Sequence, residues 1–320
     1  MADGKGILAA DESGKTADKR LESYGIKTGV EMHRQFRDLF LDAPEIERYL
    51  SGVILFTETL DQKGSDKKLF PDSLNERGIL PGVKVDLGTE PMPESPEEVI
   101  TTGLLDLPER LQQYVKDGAA FTKWRAVVKI DRDTLPTSKN LVENAKRLAS
   151  YALEVQKAGM VPILEPEVLM EGKHSRLRAK DVIKEALKTL FVALEEQAVD
   201  VTAVIIKTSM AVSGSKSGRV DAPEEVASDT LEALMSAVPK QVPGIVFLSG
   251  GQDTETAMKN LAAICKKAKE ASAPWPLTYS FARAFQDDAL KVWKGDPANV
   301  PAAREAFLKH LRDAAEAVGG

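Results

Sequence analysis

The sequence is poor in cysteine and histidine, and both absences exclude classes of protein. Cys265 is the only cysteine, so no disulfide can form within the chain and a reducing compartment is expected. The histidines His33, His174 and His310 are too widely separated for a metal-ligand motif. Neither a GxxxxGK(S/T) loop nor a GxGxxG loop after a strand occurs, so nothing indicates nucleotide binding. We therefore expect no metal and no cofactor.

Long apolar runs and clustered positive charge are also missing. No segment has the length of a membrane span, and the N-terminus lacks the basic start and apolar core of a signal peptide. The net charge is −6 and the basic residues are scattered, which argues against nucleic acid or an acidic membrane as a partner. We expect a cytoplasmic protein that meets any anion with local groups.

The chain has 320 residues, of which 43% are hydrophobic and 29% charged, enough for the core of one α/β barrel or for two smaller domains. Short β-rich segments alternate with longer segments of helical periodicity. The strand segments are GILAAD from Gly6, GVILFT from Gly52, GVKVD from Gly82, KWRAVVKI from Lys123, MVPILE from Met160, TAVIIK from Thr202, GIVFLS from Gly244 and LTYSF from Leu277. The main helices are expected at 139–158, 176–198, 222–237, 253–271 and 301–317.

This alternation predicts a (β/α)8 TIM barrel, with a doubly wound open sheet as the alternative. No linker, low-complexity tract or internal repeat divides the chain, so residues 1–320 are expected to form a single domain. The proline-rich segment 88–98 is expected to be a surface loop.

Polar and charged residues stand at the C-terminal ends of most predicted strands, where TIM barrels carry their active sites. These residues are Asp11, Lys84, Asp86, Glu165, Glu167, Lys207 and Ser249. The fourth strand begins with Lys123 and Arg125 on one face, because side chains alternate, and Trp124 then faces the helices. Each charge alone is typical of a solvated rim or a structural ion pair, but the whole set indicates a site.

Lys207 ends the apolar run VTAVII, where an unpaired ammonium would cost several kcal/mol to bury. A lysine that reaches the rim and stays solvated is the simpler interpretation. Three lysines near one barrel mouth would repel each other, which together with burial would lower the pKa of an amine and leave a neutral nucleophile. With carboxylates nearby as proton carriers, this pattern predicts carbon–carbon lyase or transferase chemistry through a Schiff base.

A phosphate site is predicted near the end of the barrel. Ser249, Gly250 and Gly251 follow the seventh strand and precede a helix, so their backbone can approach an anion closely. A tight turn without ligand is the alternative. Loops after the seventh and eighth strands of such barrels frequently bind phosphate, and Arg283 follows the eighth.

The segments GKGILAADES, GVILFTETL, GVKVD, FTKWRAVVKI, VPILEPEVL, FLSGGQ and LTYSFARAFQDDALKVW resemble, in this order and spacing, class I fructose-bisphosphate aldolases. The resemblance runs from Gly4 to about Gly295. It implies a metal-independent TIM-barrel enzyme that reversibly cleaves fructose 1,6-bisphosphate to dihydroxyacetone phosphate and glyceraldehyde 3-phosphate. Family members are often tetramers, so a homo-oligomer, tetramer or dimer, is expected.

The resemblance also implies roles for individual residues. Lys207 would form the Schiff base, Glu165 would handle protons during carbinolamine dehydration with Glu167 beside it, Lys123 would assist at the carbinolamine stage, and Asp11 would act at the C4 hydroxyl. The C1 phosphate would bind to Ser249, Gly250, Gly251 and Arg283. The C6 phosphate would bind near Ser13, Lys84 and Arg125, with Thr16 as a looser match.

The sequence departs from the family pattern at several positions. The chain begins almost at the first strand, where eukaryotic-type members have a preceding helix, so a less covered barrel bottom is expected. TSM follows Lys207 in place of proline and asparagine, and Ala282 replaces a glycine before Arg283. No tyrosine follows Tyr279, so enamine protonation is expected to be slower or to use a group other than a C-terminal tyrosine.

Two other functions compete with this interpretation. One is a Schiff-base aldolase or transaldolase that acts on a monophosphate, which would not use two anion sites. The other is a barrel that has lost turnover and serves as a binding or scaffold protein, because fold alone does not determine function.

Overall fold

A computed structural model of the chain describes residues 4–132 and 134–319. It contains eight parallel strands in one sheet and a separate antiparallel pair. The strands are β1 (Gly6–Ala10), β2 (Leu50–Leu55), β3 (Leu80–Lys84), β4 (Thr89–Met92), β5 (Ser95–Thr101), β6 (Phe121–Val128), β7 (Val161–Val168), β8 (Ile205–Thr208), β9 (Ile245–Phe247) and β10 (Leu277–Tyr279). The sheet order is β1-β2-β3-β6-β7-β8-β9-β10.

The sheet curls into a nearly closed barrel. Ala9 N–H donates to the carbonyl of Phe281, just after β10, at 3.0 Å, and Thr278 Oγ1 donates to the carbonyl of Lys5 at 3.1 Å. These bonds join the last strand to the first. The predicted (β/α)8 TIM barrel is therefore confirmed.

Helices pack around the outside of the barrel. They are α1 (Gly14–Ser23), α2 (Val30–Leu41), α3 (Thr57–Leu60), α4 (Phe70–Glu76), α5 (Leu107–Lys116), α6 (Ser138–Lys157), α7 (Arg176–Glu196), α8 (Pro223–Ala237), α9 (Thr254–Glu270), α10 (Arg283–Trp293) and α11 (Val300–Gly319). Side-chain caps fix several starts; for example, Asp253 accepts from Thr256 N–H at the start of α9 at 2.9 Å. Across residues 4–132 and 134–319, none of the helices combines the length and apolarity needed to cross a bilayer.

Two layers of apolar residues hold the barrel together. The larger layer lies between sheet and helices, where the buried Trp124 ring stacks on Tyr151 of α6 with centroids 5.4 Å apart, as its strand face predicts. The smaller layer fills the lower barrel interior with Ile7, Ala9, Ile54, Phe121, Ile163 and Val246. A Cβ on Gly82 would lie 2.2 Å from the Phe121 ring, so only glycine leaves room for this aromatic side chain.

The expectation of a surface loop at 88–98 is wrong in its conformation, because β4 and β5 form an antiparallel hairpin there. The buried carboxylate of Glu98 accepts from the backbone N–H and the hydroxyl of Thr137 at 2.8 and 2.7 Å. Asn140 and Asn144 of α6 both donate to the carbonyl of Val99. Contacts from a helix distant in sequence thus order a segment whose prolines suggest a loop.

Candidate active site

A cavity of about 550 Å³ opens at the C-terminal ends of the barrel strands. Side chains alternate between the two faces of a strand, so Phe121, Lys123 and Arg125 of β6 all point into the barrel. Of the three, Lys123 and Arg125 are nearer the C-terminal end of the strand and reach the cavity. Every residue that the sequence singles out for catalysis or phosphate binding lines this cavity, except Gly251. The residues brought together are Asp11, Ser13, Thr16, Lys84, Lys123, Arg125, Glu165, Glu167, Lys207, Ser249, Gly250 and Arg283.

Gly251 lies just behind the wall of the cavity. Its φ of +99° is a conformation that favours glycine, and a Cβ there would lie 3.5 Å from Nη2 of Arg283. Gly250 also has a positive φ, +64°. The turn after β9 therefore needs both glycines to bring its backbone close to Arg283, the first residue of α10.

Glu165 bridges two buried lysines at the centre of the cavity. Its Oε1 lies 3.0 Å from Nζ of Lys207, which is only 4% exposed, and its Oε2 lies 3.0 Å from Nζ of Lys123. Strand register produces this arrangement, because Ile206 pairs with Leu164 and the next residues along β8 and β7 are Lys207 and Glu165. A carboxylate between two amines can accept a proton from one of them and return it.

Asp11 completes the cluster, with Oδ2 at 2.7 Å from Nζ of Lys123. Burial alone would raise the pKa of Asp11, but the charges of Lys123 and Lys207 lower it to about 2. The pKa of Glu165 is likewise lowered, because the same two lysines outweigh its burial. Both carboxylates are therefore ionised at neutral pH.

The expected repulsion among the lysines is not what the structure shows. Burial would lower the pKa of Lys123, but Asp11 and Glu165 raise it above its ordinary value. Lys84 is also paired, with Nζ 2.5 Å from Oδ1 of Asp86. Carboxylates from the end of the same strand, from a neighbouring strand and from across the barrel thus pair with the lysines. The cluster can supply an uncharged amine by proton transfer to a carboxylate rather than through mutual repulsion.

Arg125 and Glu167 form a further ion pair at the cavity wall, through Nε and Oε2. They come from the neighbouring strands β6 and β7. The family resemblance implied that Arg125 lies near the C6 phosphate and Glu167 beside Glu165. In the structure the carboxylate of Glu167 orients the guanidinium, so both side chains belong to the same part of the wall.

Glu12 is a cavity residue that the sequence does not single out, although it directly follows Asp11. Arg20 binds one of its carboxylate oxygens, and the fully buried Arg37 binds the other at 2.5 Å and the Glu12 carbonyl at 2.6 Å. Arg20 also binds Asp287 of α10 at 2.7 Å. These arginines come from α1 and α2, and no local sequence pattern predicts that both bind the same carboxylate.

Ser280 is a second such residue. It lines the cavity just after β10, and its buried Oγ has no hydrogen-bond partner among residues 4–132 and 134–319. Within the same ranges, no group of three or more His, Cys, Asp or Glu side chains is arranged to hold a metal ion.

Comparison with known proteins decides the family. The sequence model of fructose-bisphosphate aldolase class-I matches residues 1–320. This chain belongs to the class I fructose-bisphosphate aldolase family. It is 43% identical over 318 residues to fructose-bisphosphate aldolase 4, cytosolic, of Arabidopsis thaliana, covering 99% of this chain and 80% of that one. It is 44% identical over 320 residues to fructose-bisphosphate aldolase of Schistosoma mansoni, covering 99% and 87%.

A solved structure agrees with this assignment. The co-crystal structure of fructose-bisphosphate aldolase from Plasmodium falciparum, in complex with TRAP and a small molecule inhibitor, superimposes with a TM-score of 0.96. The two chains are 38% identical, and the match covers 99% of this chain and 91% of that one. The prediction of a class I fructose-bisphosphate aldolase, a lyase of glycolysis, is therefore confirmed, whereas the roles of individual residues stay predictions.

Proposed function

We propose that Lys207 is the Schiff-base lysine of a metal-independent enzyme that reversibly cleaves fructose 1,6-bisphosphate to dihydroxyacetone phosphate and glyceraldehyde 3-phosphate. The observation that carries this proposal is the buried chain of contacts from Lys207 through Glu165 and Lys123 to Asp11. It joins a nucleophile, a proton carrier, a cation and a second carboxylate within one cavity.

Imine formation begins with a proton transfer. The Lys207 ammonium gives a proton to Oε1 of Glu165, 3.0 Å away, and the free amine attacks C2 of the ketose. The carbinolamine that results must lose its hydroxyl group as water. Protonated Glu165 returns the proton for this step, while Lys123 stabilises the departing oxygen from the other side of the carboxylate.

Bond cleavage requires a base at the C4 hydroxyl, and we assign this role to Asp11. As the proton leaves, the C3–C4 bond breaks, its electron pair moves to the iminium, and the aldehyde departs. Nζ of Lys123 lies 2.7 Å from Asp11 and lowers its pKa, so the carboxylate becomes a stronger base when substrate hydroxyls replace this contact. Protonation of the enamine and hydrolysis of the imine release dihydroxyacetone phosphate and restore Lys207.

The two phosphates are assigned to separate parts of the wall. The turn with Ser249, Gly250 and Gly251 offers backbone N–H groups to the C1 phosphate, next to Arg283. The C6 phosphate is assigned to Ser13, Thr16, Lys84 and Arg125, which line the same cavity. A substrate with one phosphate would use only part of this set, which favours the bisphosphate.

We further propose that residues 1–320 act as one barrel domain of a cytosolic homo-oligomer, a dimer or tetramer. Relatives named as cytosolic support the location, and the family match over the whole chain supports the single domain. Phosphorylated sugar is the only partner we assign, with neither nucleic acid nor membrane. Light scattering coupled to size exclusion would give the number of subunits.

The first experiment is borohydride reduction in the presence of dihydroxyacetone phosphate and EDTA, followed by intact-mass measurement and peptide mapping. A single adduct on Lys207 is expected, and the Lys207→Arg variant should give none. An adduct on another lysine, or no adduct, would contradict the assignment of Lys207. Comparing rates with fructose 1,6-bisphosphate and fructose 1-phosphate then tests whether the enzyme prefers the bisphosphate.

A further inference from the structure

His33 is a buried histidine held between two carboxylates close to the cavity. It lies on α2 and is 6% exposed. Its Nε2 lies 2.6 Å from Oδ1 of Asp18 on α1, and its Nδ1 lies 3.5 Å from Oε1 of Glu58 on α3. Within the described ranges, neither His33 Nδ1 nor Glu58 Oε1 has a partner with hydrogen-bond geometry, although the two atoms are only 3.5 Å apart.

The two carboxylates belong to segments that line the cavity. Asp18 is two residues after Thr16 on α1, and Glu58 directly follows Thr57 at the start of α3. Thr16, Thr57 and Ser13 all line the cavity. Thus His33 connects the beginning of α1 to the turn after β2, and it does so behind the wall rather than within it.

The protonation state of His33 decides whether both contacts can form. A neutral imidazole carries one N–H and would turn a lone pair toward one of the carboxylates. A doubly protonated imidazole can donate from both nitrogens, although Nδ1 and Glu58 Oε1, 3.5 Å apart, do not have hydrogen-bond geometry here. His33 therefore joins Asp18 to Glu58 through one hydrogen bond and one longer polar contact.

We propose that His33 is a positioning residue that holds α1 against α3 through Asp18 and Glu58, and that it thereby fixes Ser13 and Thr16 for the C6 phosphate. The inference depends on the proposed function, because it assigns this end of the cavity to that phosphate. It predicts that changing His33 weakens the binding only of substrates that carry a C6 phosphate.

The test measures kcat and KM of His33→Gln and His33→Asn with fructose 1,6-bisphosphate and fructose 1-phosphate. Each variant keeps one polar contact at most, so the KM for the bisphosphate should rise about tenfold, as expected for one lost charge-assisted hydrogen bond. Both kinetic parameters for fructose 1-phosphate should stay within about twofold of wild type, because that substrate has no C6 phosphate. Retained activity with the monophosphate also shows that the variants fold.

Glu58 offers a conservative rescue. In Glu58→Gln, a neutral imidazole can donate from Nε2 to Asp18 and accept at Nδ1 from the new amide, so the bridge survives. We expect the KM of this variant for the bisphosphate to stay near the wild-type value, whereas Glu58→Ala should raise it as the His33 variants do.

His310→Gln is the matched control. His310 is 8% exposed, and its ring nitrogens lie 2.9 Å from Asp288 and 3.8 Å from Asp313, but it is on α11 and does not line the cavity. Its kinetics should match wild type. An unchanged KM in the His33 variants, or equal effects on both substrates, would overturn the inference. If the wild-type protein cleaves neither substrate, the proposed function fails and the inference fails with it.

Discussion

Nζ of Lys123 lies 2.7 Å from Oδ2 of Asp11, in a buried ion pair between strands that are not neighbours in the sheet. Asp11 directly follows β1 and Lys123 lies on β6, so the pair spans the interior of the barrel. Removing either partner would leave a buried charge without compensation. The pair is therefore a sensitive point for both catalysis and stability.

Lys123→Met should slow imine formation by about 100-fold or more. The barrel should still fold because core volume is kept, but with lower stability because Asp11 loses its partner. Single-turnover trapping with borohydride measures this rate, and circular dichroism checks the fold. Lys139→Met, which alters an exposed lysine paired with Glu94, serves as the control and should be unaffected. An unchanged trapping rate for Lys123→Met would exclude a role at this stage.

Glu165→Gln preserves the shape of the side chain but removes its ability to carry a proton between Lys207 and the carbinolamine. We expect kcat to fall by about 100-fold to 1,000-fold, with a corresponding loss in the trapping rate. Glu167→Gln lies on the same strand but contacts Arg125, so it should trap the imine at close to the normal rate. Equal loss in both variants would argue against a specific role for Glu165.

The two phosphate assignments separate in a substrate comparison. Arg283→Ala should raise the KM for fructose 1,6-bisphosphate and for fructose 1-phosphate, because both carry the C1 phosphate. Arg125→Ala should raise it only for the bisphosphate. A change of about tenfold corresponds to the loss of one charged hydrogen bond. The assignments would have to be exchanged if Arg125→Ala impaired fructose 1-phosphate as strongly.

Asp11 should contribute to the free energy of unfolding, and this contribution should be lost at low pH. Its folded-state pKa of about 2 is below the ordinary value of 3.8, so the contribution is present above pH 3.8 and is lost as the pH falls through about 2. The difference in unfolding free energy between wild type and Asp11→Asn should therefore shrink by roughly 1 kcal/mol between pH 5 and pH 3. Urea unfolding at each pH measures it, and a constant difference would contradict the low pKa.

Gly82→Ala should destabilise the barrel by about 1–3 kcal/mol, because the new methyl group meets the Phe121 ring. Adding Phe121→Leu should recover part of this loss by making room for the methyl group. Urea unfolding of the single and double variants tests the coupling. Additive effects would show that the two side chains do not compete for the same space.

Strand patterns predicted the barrel and the charged residues at its strand ends, because buried parallel strands appear as apolar runs and side chains alternate between the two faces. Ser13 and Thr16 were predicted only from the family resemblance. The alternation was correct for β6, because Lys123 and Arg125 point into the cavity and Trp124 packs against a helix. The pairing of charges across strands could not be predicted in this way. That Asp11 neutralises Lys123 depends on barrel closure, which no local pattern encodes.

Other features were missed for the same reason. The hairpin of β4 and β5 depends on Glu98 accepting from Thr137, a residue that precedes α6. His33 stood out only as an isolated histidine until the fold placed Asp18 and Glu58 on either side of it. Both features depend on contacts between polar groups that are far apart in the sequence, and strand and helix patterns do not predict such contacts.

Phe121 and its apolar neighbours fill the barrel beneath the lysines, so the cavity opens toward the C-terminal ends of the strands. If Lys207 forms the Schiff base as proposed, the attached substrate stands on this closed floor, and its other half lies toward the open end of the cavity. On that proposal the aldehyde half leaves first during cleavage, since the other half is still covalently attached. In the reverse direction the ketone would then have to enter before the aldehyde, because it binds at the bottom of a cavity with a single entrance and the aldehyde follows by the same way.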